Sequence, residues 1–122
     1  MVRDFHKAFG AYYQDTYGQK APEEIIELRI KLMKEELSEV EESIREGQSI
    51  NETAKELADL LYVVYGTISA LGLGEKMEEI FAEVHKSNMS KLDDNGKPIT
   101  REDGKILKSK NYKKPDLEKI LD

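Results

Sequence analysis

The chain has no cysteine among its 122 residues, which excludes a disulfide framework, a thiolate zinc site and a cysteine nucleophile. Any metal must then be held by oxygen or by the two histidines, His6 and His85. Long apolar runs are missing too: no stretch reaches the roughly 18 residues that a membrane-spanning helix needs. The opening residues, MVRDFHKAFG, lack the apolar centre of a signal peptide, so a cytoplasmic protein with no membrane partner is expected. There is no low-complexity linker either. The length is that of one ordinary domain, and a single domain over residues 1–122 is expected, with 92–115 as a basic, lid-like tail.

What is present is charge, unevenly spread. The net charge is −6, yet from His85 to Pro115 nine Lys or Arg face four acids, a balance of +5, and the rest carries −11. An acidic body with a basic tail argues against coating nucleic acid, because a duplex would meet the body's repulsion as well as the tail's attraction. It suits a small ligand that needs both cations and carboxylate-held metal.

Apolar spacing of three and four dominates the first 92 residues and predicts an all-α fold. Residues 3–17, with Phe5, Phe9, Tyr12 and Tyr13 on one face, predict a first helix ended by Gly18. A long helix should start at Pro22 and stop near Glu46 before Gly47. Ser49 or Asn51 can cap a third, running to Gly72, and a fourth should span about 75–91. Beyond Asp93, the dipeptides Asn95-Gly96 and Asp103-Gly104 beside short strand-compatible runs predict a small hairpin or lid. Pro115 should open a last helical turn.

Chemistry concentrates in KEELSEVEES, residues 34–43. On a helical wheel with Val40 at zero, Ile26, Ile30, Met33, Leu37 and Ile44 fall between roughly 20° and 80° as one apolar seam. Ile25, Leu28 and Leu32 form a second row near −60° to −120°, and Glu36 and Glu39 continue it. Glu41 and Glu42 do not, and belong to the surface. On the next helix, Glu56 and Asp59 share a row with Val63, Gly66 and Ala70. Each helix therefore presents two carboxylates three residues apart on one side. If the helices pack, four carboxylates converge, and a divalent cation relieves their repulsion by using the same oxygens as ligands. All-oxygen coordination selects Mg²⁺, with Mn²⁺ as substitute.

Ordinary readings compete. Acid-rich EE and EExxE strings are abundant on solvated helix faces. TAKE at 53–56 fits a capping box in which Thr53 caps and Glu56 reaches back. Asp59, a mediocre helix former placed before LLYVVY, is harder to explain as surface.

Glu35-Glu36-x-x-Glu39, sixteen residues, then Glu56-x-x-Asp59 resembles the EExxE...ExxD signature of the all-α nucleoside triphosphate pyrophosphohydrolases. That MazG-like superfamily includes dimeric dUTPases and phosphoribosyl-ATP pyrophosphohydrolases. VHKSNMSKL at 84–92 and NYKKPDL at 111–117 resemble the C-terminal region of small stand-alone members, and DFHKAFG their first helix. The resemblance implies a homodimer or homotetramer whose four-helix cores are completed by dimerisation around Mg²⁺. It also implies hydrolysis between the α and β phosphates of a nucleoside triphosphate, giving monophosphate and pyrophosphate, with clearance of noncanonical nucleotides as the natural role.

On this reading Glu36, Glu39, Glu56 and Asp59 are the metal ligands, and Glu35, about 100° away on the wheel, holds a further metal or orients the attacking water. Asn88 and Lys91 share a helix face and, with Lys86, are expected to touch substrate, although lysine at a helix end also complements the dipole. Lys97, Lys105, Lys108 and Tyr112 are expected to close a lid over phosphate. His85 can contact substrate or be structural. His6 can help shape a base pocket, while Phe5 and Phe9 are expected chiefly in core packing. The alternatives are a phosphoribosyl-ATP pyrophosphohydrolase and a non-catalytic helical dimerisation module. The apolar circumference of residues 57–71 favours self-association in every case.

Overall fold

Two acids, Glu23 and Glu24, follow Pro22 and complement the amino-terminal dipole of the longest helix. In the computed structural model, which describes residues 1–122, the element order is α1 (Val2–Phe9), α2 (Glu23–Arg45), α3 (Ile50–Ala70), α4 (Met77–Met89), β1 (Ile99–Thr100), β2 (Ile106–Leu107) and α5 (Glu118–Leu121). The chain is all-α apart from one small hairpin. It divides into two compact units, Met1–Glu75 and Lys76–Asp122.

In the first unit α2 ends where Gly47 turns left-handed, at φ 64°, and Gln48 donates back to the Ser43 carbonyl at 3.1 Å. Ser49 then starts α3 with a capping box: its hydroxyl accepts from the Glu52 amide while the Glu52 carboxylate accepts from the Ser49 amide. The box at Thr53 and Glu56 does not form. Thr53 Oγ1 instead lies 2.7 Å from Ser43 Oγ, tying the two helices across the turn and leaving Glu56 for other work.

Helix α1 is shorter than the aromatic spacing predicts. Gly10 adopts φ 67° and the Ala11 amide bonds the His6 carbonyl, so the helix closes at Phe9. Tyr12 and Tyr13 mimic its period from an irregular segment. That segment is fastened to the end of α3, where the Gln14 amide donates to Ser69 O and its side chain to Ala70 O, both at 2.9 Å. These bonds satisfy carbonyls that the helix end leaves free.

The α2–α3 seam holds a thin core. Ala21, Val40 and Ala70 are the fully buried apolar residues, joined by His6, Ser43 and Ser69. Much of what the wheel grouped as one seam stays open: Ile30, Leu37 and Ile44 on α2 are exposed, as are Leu57, Leu61 and Tyr65 on α3.

In the second unit the tail is bonded to α4 and the residues just after it. Ser87 Oγ donates to Lys113 O at 2.7 Å, and Ser109 Oγ to Leu92 O at 2.7 Å. The Glu83 carboxylate accepts from the Asp116 amide and lies 3.0 Å from Lys119 Nζ, and these two bonds hold its pKa below the usual value. The hairpin pairs Ile99 with Leu107 and Thr100 with Ile106. Asp103-Gly104 makes its turn, while Asp93 Oδ1 caps the separate Asn95-Gly96 turn.

Replacing Ser49 by Ala removes the α3 cap and should cost about 1 kcal/mol, read as a lower denaturant midpoint at unchanged slope. An unaltered midpoint would show that the box contributes nothing.

Candidate metal and nucleotide site

Residue spacing puts Glu36 on the α2 row facing α3, and Glu56 and Asp59 on the α3 row facing back. Tertiary packing brings them together: one carboxylate oxygen from each lies within 4.8 Å of the other two. Glu36 Oε2 and Glu56 Oε2 are fully buried and accept no hydrogen bond. Such oxygens lose their hydration and gain nothing in return.

The electrostatics follow from this crowding. Burial raises the Glu36 pKa above the usual carboxylate value, and Asp59 and Glu56 raise it further. Glu39, more exposed, shares a hydrogen bond with the Glu56 carboxyl, which raises its pKa, and the charges of Glu36 and Glu56 add to the effect. Part of the negative charge is offset by a residue the sequence reading passed over. Lys55 Nζ sits 2.7 Å from Asp59 Oδ2 and 3.5 Å from Glu56 Oε1. Its own pKa is raised, first by the hydrogen bond to Asp59. The i, i+4 spacing of Lys55 and Asp59 was the available signal.

Glu35 lies apart from this group, with Lys31 Nζ 4.0 Å from its Oε1. Glu41 bonds Arg45 on the surface and Glu42 is exposed, so the five glutamates of KEELSEVEES divide into wet and inward-facing sets.

Beside the acids is a cavity of about 340 Å³, lined by Phe5, His6, Arg29, Leu32, Glu36, Asp59, Tyr62 and Val63. Phe5 is half exposed there, stacked on Phe9 at 4.5 Å and edge-on to Tyr62 at 5.6 Å. Phe5 thus walls an opening, and Phe9 is exposed behind it, rather than both filling a core. Arg29 and Tyr62 escaped sequence reasoning, although Arg29 lies two turns before Glu36 on the same row.

The remaining predicted residues are in the second unit. Lys86 and Asn88 are exposed on α4 and Lys91 is half-buried just past its end. Lys108 Nζ rests 4.6 Å over the Tyr112 ring, a cation–π contact within the tail. His85 is exposed.

Three carboxylates with oxygens within 4.8 Å of one another, two of the groups with orphaned buried oxygens, suit a hard divalent cation, which would satisfy those oxygens at once and remove the mutual repulsion. Glu36, Glu56 and Asp59 have the placement to hold one, with Glu39 adjoining.

Because the Glu36 pKa is raised in the fold, its neutral form is favoured, and ionising it costs stability as pH rises through the carboxylate range. In a chelator near pH 7, Glu36→Gln should therefore melt a few degrees above the unaltered chain. The difference should shrink as pH falls and vanish at about pH 3 and below, under the ordinary glutamate value, where the group is protonated in both states. Mg²⁺ should raise the melting temperature of the unaltered chain and leave the variant nearly unmoved. A variant that melts lower in chelator would show that the cluster is not strained.

The profile of one protein family, phosphoribosyl-ATP pyrophosphohydrolase, matches residues 2–88. The match spans α1 to α3 and nearly all of α4, including every residue of the acid cluster. Comparison with curated proteins gives no match.

Proposed function

The chain belongs to the phosphoribosyl-ATP pyrophosphohydrolase family, one branch of the all-α nucleotide pyrophosphohydrolases, and we propose that it cleaves the α–β phosphoanhydride of phosphoribosyl-ATP with Mg²⁺. Family membership carries the coarser statement, a nucleotide pyrophosphohydrolase acting on an acid anhydride. The observation that carries the site is the pair of buried, unpartnered oxygens of Glu36 and Glu56 beside Asp59.

The triphosphate of the substrate brings about four negative charges near pH 7, which carboxylates alone would repel. Bound Mg²⁺, with Mn²⁺ as substitute, would supply the countercharge for substrate phosphates and for the pyrophosphate that leaves. Glu36, Glu39, Glu56 and Asp59 hold that charge in place. Glu35, on a different side of α2, is assigned to orienting the attacking water. Water adds at the α phosphorus, the bond from that phosphorus to the bridging oxygen breaks, and the electron pair leaves with pyrophosphate. Phe5 and Tyr62 offer ring faces to a base in the adjoining cavity, where the Arg29 guanidinium and His6 imidazole can meet its polar edge. Lys86, Asn88, Lys91 and Tyr112, in stretches that resemble stand-alone members, are assigned to substrate contacts, and Lys108, over the Tyr112 ring, to contact with phosphate.

A second substrate class, ribo- or deoxyribonucleoside triphosphates cleared as noncanonical nucleotides, is favoured by residues 89–122. This tail lies beyond the family match, carries the NGKPI and NYKKPDL runs, and is bonded to α4 rather than left as a linker. The bond broken is the same. Purified protein with Mg²⁺ should release pyrophosphate, and no orthophosphate, from phosphoribosyl-ATP or from a member of a nucleoside triphosphate panel. Glu56→Gln should lower kcat/KM by at least about 100-fold, equivalent to about 2.7 kcal/mol. Orthophosphate as product, or no turnover of any of these substrates, would sink the reading.

We also propose self-association as a homodimer or homotetramer. Leu37 and Ile44 form an i, i+7 row on α2, and Leu57, Leu61 and Tyr65 an i, i+4, i+8 row on α3; all five are exposed. A second copy of the α2–α3 pair would cover them and complete a four-helix core. Light scattering should return twice the 14.0 kDa chain mass or more, and Leu61→Glu should shift it toward the single chain. A monomer at high concentration would refute this arrangement.

A further inference from the structure

Of the cations on α2, Lys31, Lys34 and Arg45 are exposed, while Arg29 is half-buried against α3. Arg29 lies two turns before Glu36 and lines the same cavity as Glu36 and Asp59. An arginine so placed has the reach and the charge to form a forked pair with a carboxylate, and that pair would fill the acid cluster. Instead its Nη2 donates to Val63 O at 2.8 Å and its Nε to Thr67 Oγ1 at 3.2 Å. The Thr67 hydroxyl itself donates to Val63 O at 3.0 Å, so the acceptors on α3 are fixed.

This position depends on an absent side chain. A Cβ on Gly66 would fall 2.3 Å from Arg29 Nη2, 3.1 Å from its Cζ and 2.9 Å from His6 Nε2. Gly66 sits inside a helix and is not among the glycines with positive φ, so backbone geometry does not call for glycine, and helix propensity argues against it. Room for its neighbours is the reason that remains. His6 cannot yield easily, being buried with Nδ1 held 3.0 Å from Tyr12 O. A methyl group at position 66 would therefore displace Arg29, which borders two cavities, one lined by Ile25, Ile26, Met33 and other apolar groups and one lined by Glu36 and Asp59; a guanidinium is stabilised in the second, by the carboxylates, and desolvated in the first.

We propose that Gly66 is a positioning residue: by letting Arg29 lie across α3, bonded to Val63 and Thr67, it keeps that guanidinium out of the carboxylate cluster and leaves the cluster open to a divalent cation. The inference rests on the metal-site reading above.

Mn²⁺ binding to the unaltered chain, to Gly66→Ala, to Arg29→Met and to the double variant, measured by titration calorimetry without nucleotide, tests it. Gly66→Ala should weaken Mn²⁺ binding by about tenfold or more, the scale of one opposite charge entering a partly buried acid site. Arg29→Met should leave the affinity near that of the unaltered chain. The double variant should recover it, because no guanidinium remains to be displaced. Thr67→Val, which removes one anchor without adding bulk, should weaken binding in the same direction and serves if Gly66→Ala does not fold. A purely structural glycine would lower the melting temperature of both Gly66 variants while leaving Mn²⁺ affinity unchanged. That result, or a loss not recovered in the double variant, overturns the inference alone. Failure of the unaltered chain to take up Mn²⁺ overturns it together with the metal site.

Discussion

Three carboxylates pressed into one helix–helix seam set the terms for the rest of the first unit. Glu36 faces Glu56 and Asp59 where an ordinary seam would place Leu or Ala, and two of the oxygens are buried without a donor. Such an arrangement is costly as it stands. Lys55 relieves one edge by binding Asp59, but its Nζ is bonded from the flank and does not reach the orphaned oxygens. The chain thus keeps a negatively charged notch with the placement to hold a divalent cation.

The surroundings keep that notch in shape. Hydroxyl contact between Ser43 and Thr53 pins the α2–α3 turn one end away from the acids. Because the capping box starts α3 at Ser49, the Thr53 amide already donates to Ser49 O at 3.0 Å inside the helix, and Thr53 and Glu56 have no cap to form. At the other end, Gln14 binds the last carbonyls of α3 and holds the irregular segment against it, which carries α1 and the ring of Phe5 to the cavity wall. Polar fastenings replace part of the apolar core, since only Ala21, Val40 and Ala70 are fully buried among the hydrophobic residues.

The adjoining cavity is walled by the Arg29 guanidinium, the His6 imidazole, the rings of Phe5 and Tyr62 and the carboxylates of Glu36 and Asp59. Family membership narrows the chemistry to that of a nucleotide pyrophosphohydrolase. Charge is supplied by helices rather than by loops, so the carboxylate oxygens are held by packed backbone rather than by loop positions.

The all-α class, the α2 and α3 boundaries to within a few residues, the Asp103-Gly104 hairpin and the inward turn of Glu36, Glu56 and Asp59 were all legible in the sequence, because period, caps and turn dipeptides are local signals. The end of α1 was not: Phe5, Phe9, Tyr12 and Tyr13 keep helical spacing, and only the left-handed turn at Gly10 breaks it. Nor did the wheel distinguish covered from open apolar residues, which is why Leu37 and Ile44 read as seam. The roles of Arg29 and Gly66 lay further out of reach, since they depend on which α3 atoms stand opposite α2. Sequence determines which side chains share a face of one helix, through a fixed rise and rotation per residue. Which faces meet, how closely, and which oxygens are thereby stripped of water is decided only when two helices pack.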